Sequence, residues 1–137
     1  RRQTGMVFQN FQLFPHCTAI GKLLLSLRLP DERAAMIAAM PLTRYTSRTL
    51  TDASQLLHAL EQSAQSKVGI DDQEFIDGVV CVSVPVFASD DGGGVEQVIG
   101  GIAVSAPEAR ISIEDAKTFI PIMRTAAERL AATFRLR

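Results

Sequence analysis

The chain has no tryptophan, one tyrosine and two cysteines among its 137 residues. Cys17 and Cys81 lie far apart in apolar settings, so a disulfide framework is not expected and reduced thiols are. With His16 and His58 they make no CxxC or HxxxH spacing, and neither zinc nor any other cofactor is expected. An excess of one charge is lacking too. Fourteen Lys and Arg against fifteen Asp and Glu leave a formal net charge of -1, too little to build the positive field that nucleic acid or an anionic membrane requires. Direct nucleic-acid binding by this chain is therefore not expected. No apolar run approaches the roughly 20 residues that span a bilayer, and the first residues carry neither the apolar stretch nor the small-residue cleavage site of a signal peptide. A soluble, cytoplasmic protein without membrane contact is the expectation.

What is present is apolar material for one core, since 47% of the residues are hydrophobic and the length suits one domain. "TAIGKLLLSL" (18–27) places a capping threonine before good helix formers. "LPDERAAMIAAM" (29–40) has Asp31 and Glu32 in a first turn that favours negative charge, and Pro41 ends it. Residues 41–50 are rich in turn formers and read as a loop. "TDASQLLHALEQSAQS" (51–66) sets Leu56, Leu57, Leu60 and Ala64 on one helical face. The period then changes. "VVCVSVPVFA" (79–88) and "VEQVIGGIAVSA" (95–106) alternate and are β-branched, with a glycine-rich turn between them, so a β-hairpin is expected. Pro85 points to an edge or a bulge in the first strand. A last helix should start at Ser112, with Asp115 completing a capping box. It carries Phe119, Met123, Ala126, Leu130 and Phe134 at intervals of three and four, with a kink at Pro121. The class is α/β in the α+β sense, an antiparallel sheet with helices packed on it.

The ordered strings "HCTAIGKLLLS", "LPDERAAMIAAMPLTRYTSRTLTD", "GIDDQEFIDGVVCVSVPVF" and "GGIAVSAPEARIS" resemble the effector-binding domain of the IclR (isocitrate lyase regulator) family of transcription regulators. The resemblance covers residues 16–137. Lys67 stands where the family signature has a small residue, and Ala88 where it has Asp or Asn. The family likeness implies a GAF/PAS-like fold that here lacks its N-terminal helix and strands, and a sensor without its helix-turn-helix DNA reader. It implies a small carboxylate, keto-acid or hydroxy-acid effector, self-association, the output of an activator or a repressor, and no catalysis.

By the same resemblance, Ala19 and Ile20 occupy backbone-contact positions at a helix N-terminus, where unpaired N–H groups and the positive end of the dipole hold a carboxylate. Gly21 either lets the ligand approach closely or merely permits tight helix packing. Asp71 faces the pocket with Cys81 and Ser105, accepting a hydrogen bond from a hydroxyl, a hydrate or a water; alternatively it is a solvated turn acid beside Asp72 and Glu74. Val79 lines the same cavity. Cys81 reads as a small core residue without a paired base. Ser105 donates to the ligand or satisfies a strand edge. Ala103, two residues away on the same face, replaces a second hydroxyl, so a less polar acid is expected. An enzyme using Cys81 or Asp71 would need His16 or His58 to approach in space. Arg44, Arg48 and Arg110 read as loop-pairing or solvated, or as steering an anionic effector at the pocket mouth.

The opening "RRQTGMVFQNFQLFPH" resembles the Q-loop of ATP-binding-cassette transporter ATPases, with Gln9 as the loop glutamine. No GxxxxGK[ST], LSGGQ or apolar strand ending in Asp-Glu accompanies it. Residues 1–15 are thus expected to be foreign to a domain spanning 16–137. The alternative reading is a fragment of a transporter ATP-binding protein. Val7, Phe8, Phe11, Leu13 and Phe14 would also suit an extended segment that covers the sheet.

Overall fold

The computed structural model of the chain describes residues 16–89 and 96–134. Three helices come first: α1 (Ala19–Ser26), α2 (Pro30–Ala39) and α3 (Ala53–Ser66). The strands β1 (Gly69–Asp72), β2 (Val79–Ala88) and β3 (Gln97–Pro107) follow, and the described chain closes with α4 (Ile113–Lys117) and α5 (Ile120–Thr133). The three strands form one antiparallel sheet in the order β1-β2-β3. The expected α+β class and hairpin pairing are what the chain adopts. The residues resembling a Q-loop lie outside the described residues, as does the turn at 90–95.

Alternation along β2 divides the molecule. Val80, Val82, Val84 and Val86 point to one face and pack with Ala116 of α4 and with Met123 and Ala127 of α5. Their neighbours Cys81 and Ser83 point to the other face, where α1 lies. Leu24 and Leu25 of α1 then meet Ile37, Leu56 and Leu60 in a second core formed with α2 and α3. Full burial of each such leucine contributes about 1.5–3 kcal/mol, and Leu23, Leu25, Leu56 and Leu60 are all fully buried.

One strand goes unread in the sequence, the C-terminal expectation needs correction, and the expectation for Pro85 holds. The stretch after α3 contains a strand, β1, that its four residues and two acids conceal. The C-terminal segment is two helices, not one kinked helix: Thr118 caps α4 and Pro121 sits in the first turn of α5, where its missing N–H costs nothing. That break resets the helical phase. Met123 and Ala127 are buried, whereas Ala126, Leu130 and Phe134 are exposed. Pro85 lies within β2 and pairs with Gly101, and the bulge falls one residue later, between Val86 and Phe87. β1 pairs only as far as Ser83, so the proline interrupts no ladder on that side.

Candidate effector-binding site

The first turn of α1 is built by Thr18, whose hydroxyl accepts the Gly21 N–H at 3.0 Å and whose carbonyl accepts the Lys22 N–H at 3.0 Å. Capping therefore consumes the Gly21 amide. The N–H groups of Ala19 and Ile20 meet no acceptor among the described residues, and they stand at the positive end of the helix. Gly21 is buried and offers space rather than a donor.

α1 lies directly on the sheet because two glycines admit it. A Cβ added at Gly69 would overlap the Ala19 carbonyl oxygen, and one at Gly101 would stand 2.7 Å from Ile20 Cδ1. On the same face, one residue pair further along, the register sets Asp71 opposite Cys81 and Cys81 opposite Ser105. Directly opposed residues project to the same side of a sheet, so the three side chains form one row across β1, β2 and β3, near the start of α1. Val79 continues the row, paired with Pro107. The row is closed at one end and open at the other: Asp71 is 5% exposed and Cys81 8%, while Ser105 and Ala103 are exposed. The seven candidate residues are thus brought to one side of the sheet.

Asp71 is held within this row. Its Oδ1 accepts the Glu74 N–H at 2.7 Å. Burial pushes its carboxyl up to about 6, the Glu74 and Phe75 amides and the Lys22 charge pull it back, and the Glu74 charge adds to the rise. This is a buried acid and not a solvated turn residue. Burial also pushes the Cys17 thiol up to about 12, reinforced by the charges of Asp71 and Glu74. The Cys81 thiol is raised chiefly by burial, offset by a hydrogen bond with the Ser105 side chain. Such thiols carry little thiolate at neutral pH. His16 Nε2 lies 2.7 Å from the Thr43 carbonyl, and His58 pairs with Gln62 on the exposed side of α3. Neither histidine bonds Cys81 or Asp71 among the described residues.

The loop before α3 clamps the loop that follows β1. Thr46 Oγ1 donates to the Gln73 carbonyl at 2.6 Å and Thr49 Oγ1 to the Glu74 carbonyl at 2.5 Å. Arg48 pairs with Asp72 at 3.0 Å, and Arg44 donates to Thr46, Ser47 and Thr51. These two arginines hold loops together. Sequence reasoning passed over Lys22 and Glu74, which form a buried ion pair, Nζ to Oε1 at 2.6 Å. The one signal available was the short spacing of each from a candidate residue, Gly21–Lys22 and Asp71–Glu74. Behind the pair, at the outer edge of β1, a cavity of about 760 Å³ opens between α3 and the start of α5, lined in part by Leu50, Val68, Ile70 and Lys117. Asp71, Cys81 and Ser105 do not line it.

Comparison with known proteins bears on what such a site serves. Residues 9–132 match the family model described as bacterial transcriptional regulator IclR C-terminal. The chain is 34% identical over 119 residues to the probable transcriptional regulator SauR of Cupriavidus necator and 37% identical over 117 residues to the HTH-type transcriptional regulator KdgR of Escherichia coli. Those alignments take in 87% and 85% of this chain but 45% and 43% of the relatives, so the chain spans under half of their length. Among solved structures, the C-terminal domain of E. coli KdgR superposes with a TM-score of 0.72 at 36% identity, over 86% of this chain and 69% of that one. The inducer-binding domain of PobR from Acinetobacter, solved as a double mutant in complex with 3-hydroxybenzoic acid, gives 0.77 at 26% identity over 85% and 65%. The transporter-ATPase resemblance of residues 1–15 finds no support here, because these relatives are regulators and the family match already begins at residue 9. The chain belongs to the IclR C-terminal family of bacterial transcriptional regulators.

Proposed function

We propose that this chain is the effector-sensing part of a transcription regulator and that it binds a small organic acid without transforming it. The observation that carries the reading is the row Asp71, Cys81 and Ser105 on the face where α1 begins, with the Ala19 and Ile20 amides meeting no acceptor among the described residues. The amides hold a carboxylate, and the row meets a hydroxyl or carbonyl on the acid's body. Gly21 and Val79 shape the space between. Ala103 offers a methyl group next to Ser105, which favours an acid less polar than the smallest oxo-acids. The hydroxybenzoate seated in the PobR inducer-binding domain is an acid of this kind. The raised thiols of Cys17 and Cys81 argue for recognition over covalent chemistry. Ligand binding then biases one arrangement of the assembly over another. Calorimetric titration with pyruvate, lactate and 3-hydroxybenzoate tests the reading: at least one should bind, and Ser105→Val should weaken it about tenfold, as expected for one lost hydrogen bond. Binding that Ser105→Val leaves unchanged would move the site elsewhere.

Self-association belongs to the same reading. β3 has no partner on its outer edge among the described residues, and Ile122 and Leu130 of α5 and Phe134 at its C-cap are exposed. Both are features that a second copy would cover. Sedimentation across a micromolar-to-millimolar series should show concentration-dependent association, and a monomer throughout would remove this part of the proposal.

A further inference from the structure

Lys22 and Glu74 do not belong to the row, yet their side chains are among the most deeply buried charges of the described residues, 5% and 10% exposed. Stability is a poor explanation for them. Withdrawing two charges from water carries a large desolvation cost, and a well-packed apolar pair of the same volume commonly does as well or better. Their position offers another explanation. Lys22 sits in the first turn of α1, next to Gly21 and two residues after Ile20. Glu74 follows Asp71 by three residues, and its own N–H holds the Asp71 carboxylate at 2.7 Å. Glu74 Oε1 accepts from Lys22 Nζ at 2.6 Å across 52 residues of sequence, while its Oε2 accepts the Asp72 N–H at 3.4 Å. One contact thus joins the two halves of the acid site, the helix terminus and the carboxylate, which come from separate elements.

We propose that the Lys22–Glu74 pair is a positioning pair: without touching the ligand, it sets the gap between the Ala19 and Ile20 amides and Asp71, and through that gap the shape of acid admitted. The proposal rests on the acid-binding reading above. An ion pair suits this task because its hydrogen bond tolerates little change of length, whereas apolar side chains slide and repack. The pair also lines the cavity between α3 and the start of α5.

The test compares the chain with the double variant Lys22→Met/Glu74→Leu, which keeps volume and removes both charges. Melting temperature and the dissociation constants of pyruvate, lactate and 3-hydroxybenzoate are measured for both between pH 5.5 and 8. The expected result is a melting temperature near that of the parent, with the ratio of affinities among the three acids changed by about tenfold or more. A double variant that folds and keeps the same ratios at every pH overturns the proposal. If it does not fold, Lys22→Arg takes its place, since it keeps the charge and lengthens the link: altered ratios support the idea and unaltered ratios sink it. If the parent chain binds none of the three acids, the acid-binding reading is what fails, and the tie is then read without ligand. Hydrogen exchange in Glu74→Gln should accelerate together at Ala19–Lys22 and at Asp71–Glu74. Acceleration at Asp71–Glu74 alone would show that the pair does not connect them.

Discussion

Asp71 is the residue at which burial and charge conflict most directly. Its carboxyl titrates at about 6 in the folded chain against an ordinary 3.8, so between those values the folded protein holds a proton that the unfolded chain has released. Stability contributed by that proton is present below about pH 4 and is lost as the pH rises through 6. Above that, keeping the buried carboxylate charged costs at most about 3 kcal/mol. Asparagine preserves the shape and can still accept the Glu74 N–H. Asp71→Asn should therefore melt higher than the parent at pH 7.5 and show a flatter dependence of melting temperature between pH 4 and 6. Equal slopes for the two proteins would mean that Asp71 titrates like a surface acid. A buried acid that lowers stability at neutral pH, standing at the closed end of the row, fits the binding role proposed for it.

At the scale of elements, what could be read from the sequence was what local chemistry alone decides. The caps at Thr18 and Ser112 start their helices as the sequence reads, each side chain accepting a backbone N–H of the first turn, and Asp52 does the same for α3. The alternation of residues 79–88 and 95–106 likewise pointed to β2 and β3, the latter running Gln97–Pro107. What could not be read depends on partners distant in sequence. β1 is a strand only because β2 offers it a ladder from Val80 to Ser83, and the Lys22–Glu74 pair exists only because α1 is laid against β1. The candidate row was legible through family resemblance, since nothing local tells that residues 71, 81 and 105 are opposed. The cap at Thr18 has a measurable consequence at this scale. Thr18→Ala removes the acceptor of the Gly21 N–H, at a cost of about 1 kcal/mol in urea denaturation. It also loosens the turn that carries the two free amides, so acid affinity should fall with stability. Loss of stability with affinity intact would separate the cap from the site.

Across the whole molecule, the sheet is a partition with different material on its two faces. On one side α4 and α5 pack against the valines of β2, and on the other α1, α2 and α3 form the leucine core. Two cores of this size need not melt together, and what unites them is α1. Leu23 lies against Gly69 on the sheet, while Leu24 and Leu25, in the same turn, enter the helical core. Loss of either core therefore unseats the helix on which the other depends. Leu60→Ala in the helical core and Val82→Ala in the sheet core should each lower a single calorimetric transition, the former by about 2–5 kcal/mol and the latter by less because fewer methyl groups are removed. Two resolved transitions in either variant would show that α1 does not couple the faces. The same coupling bears on function. The proposed acid site lies under α1, so a ligand that fixes this helix against the sheet should stabilise both cores at once, raising one transition as a whole rather than part of it.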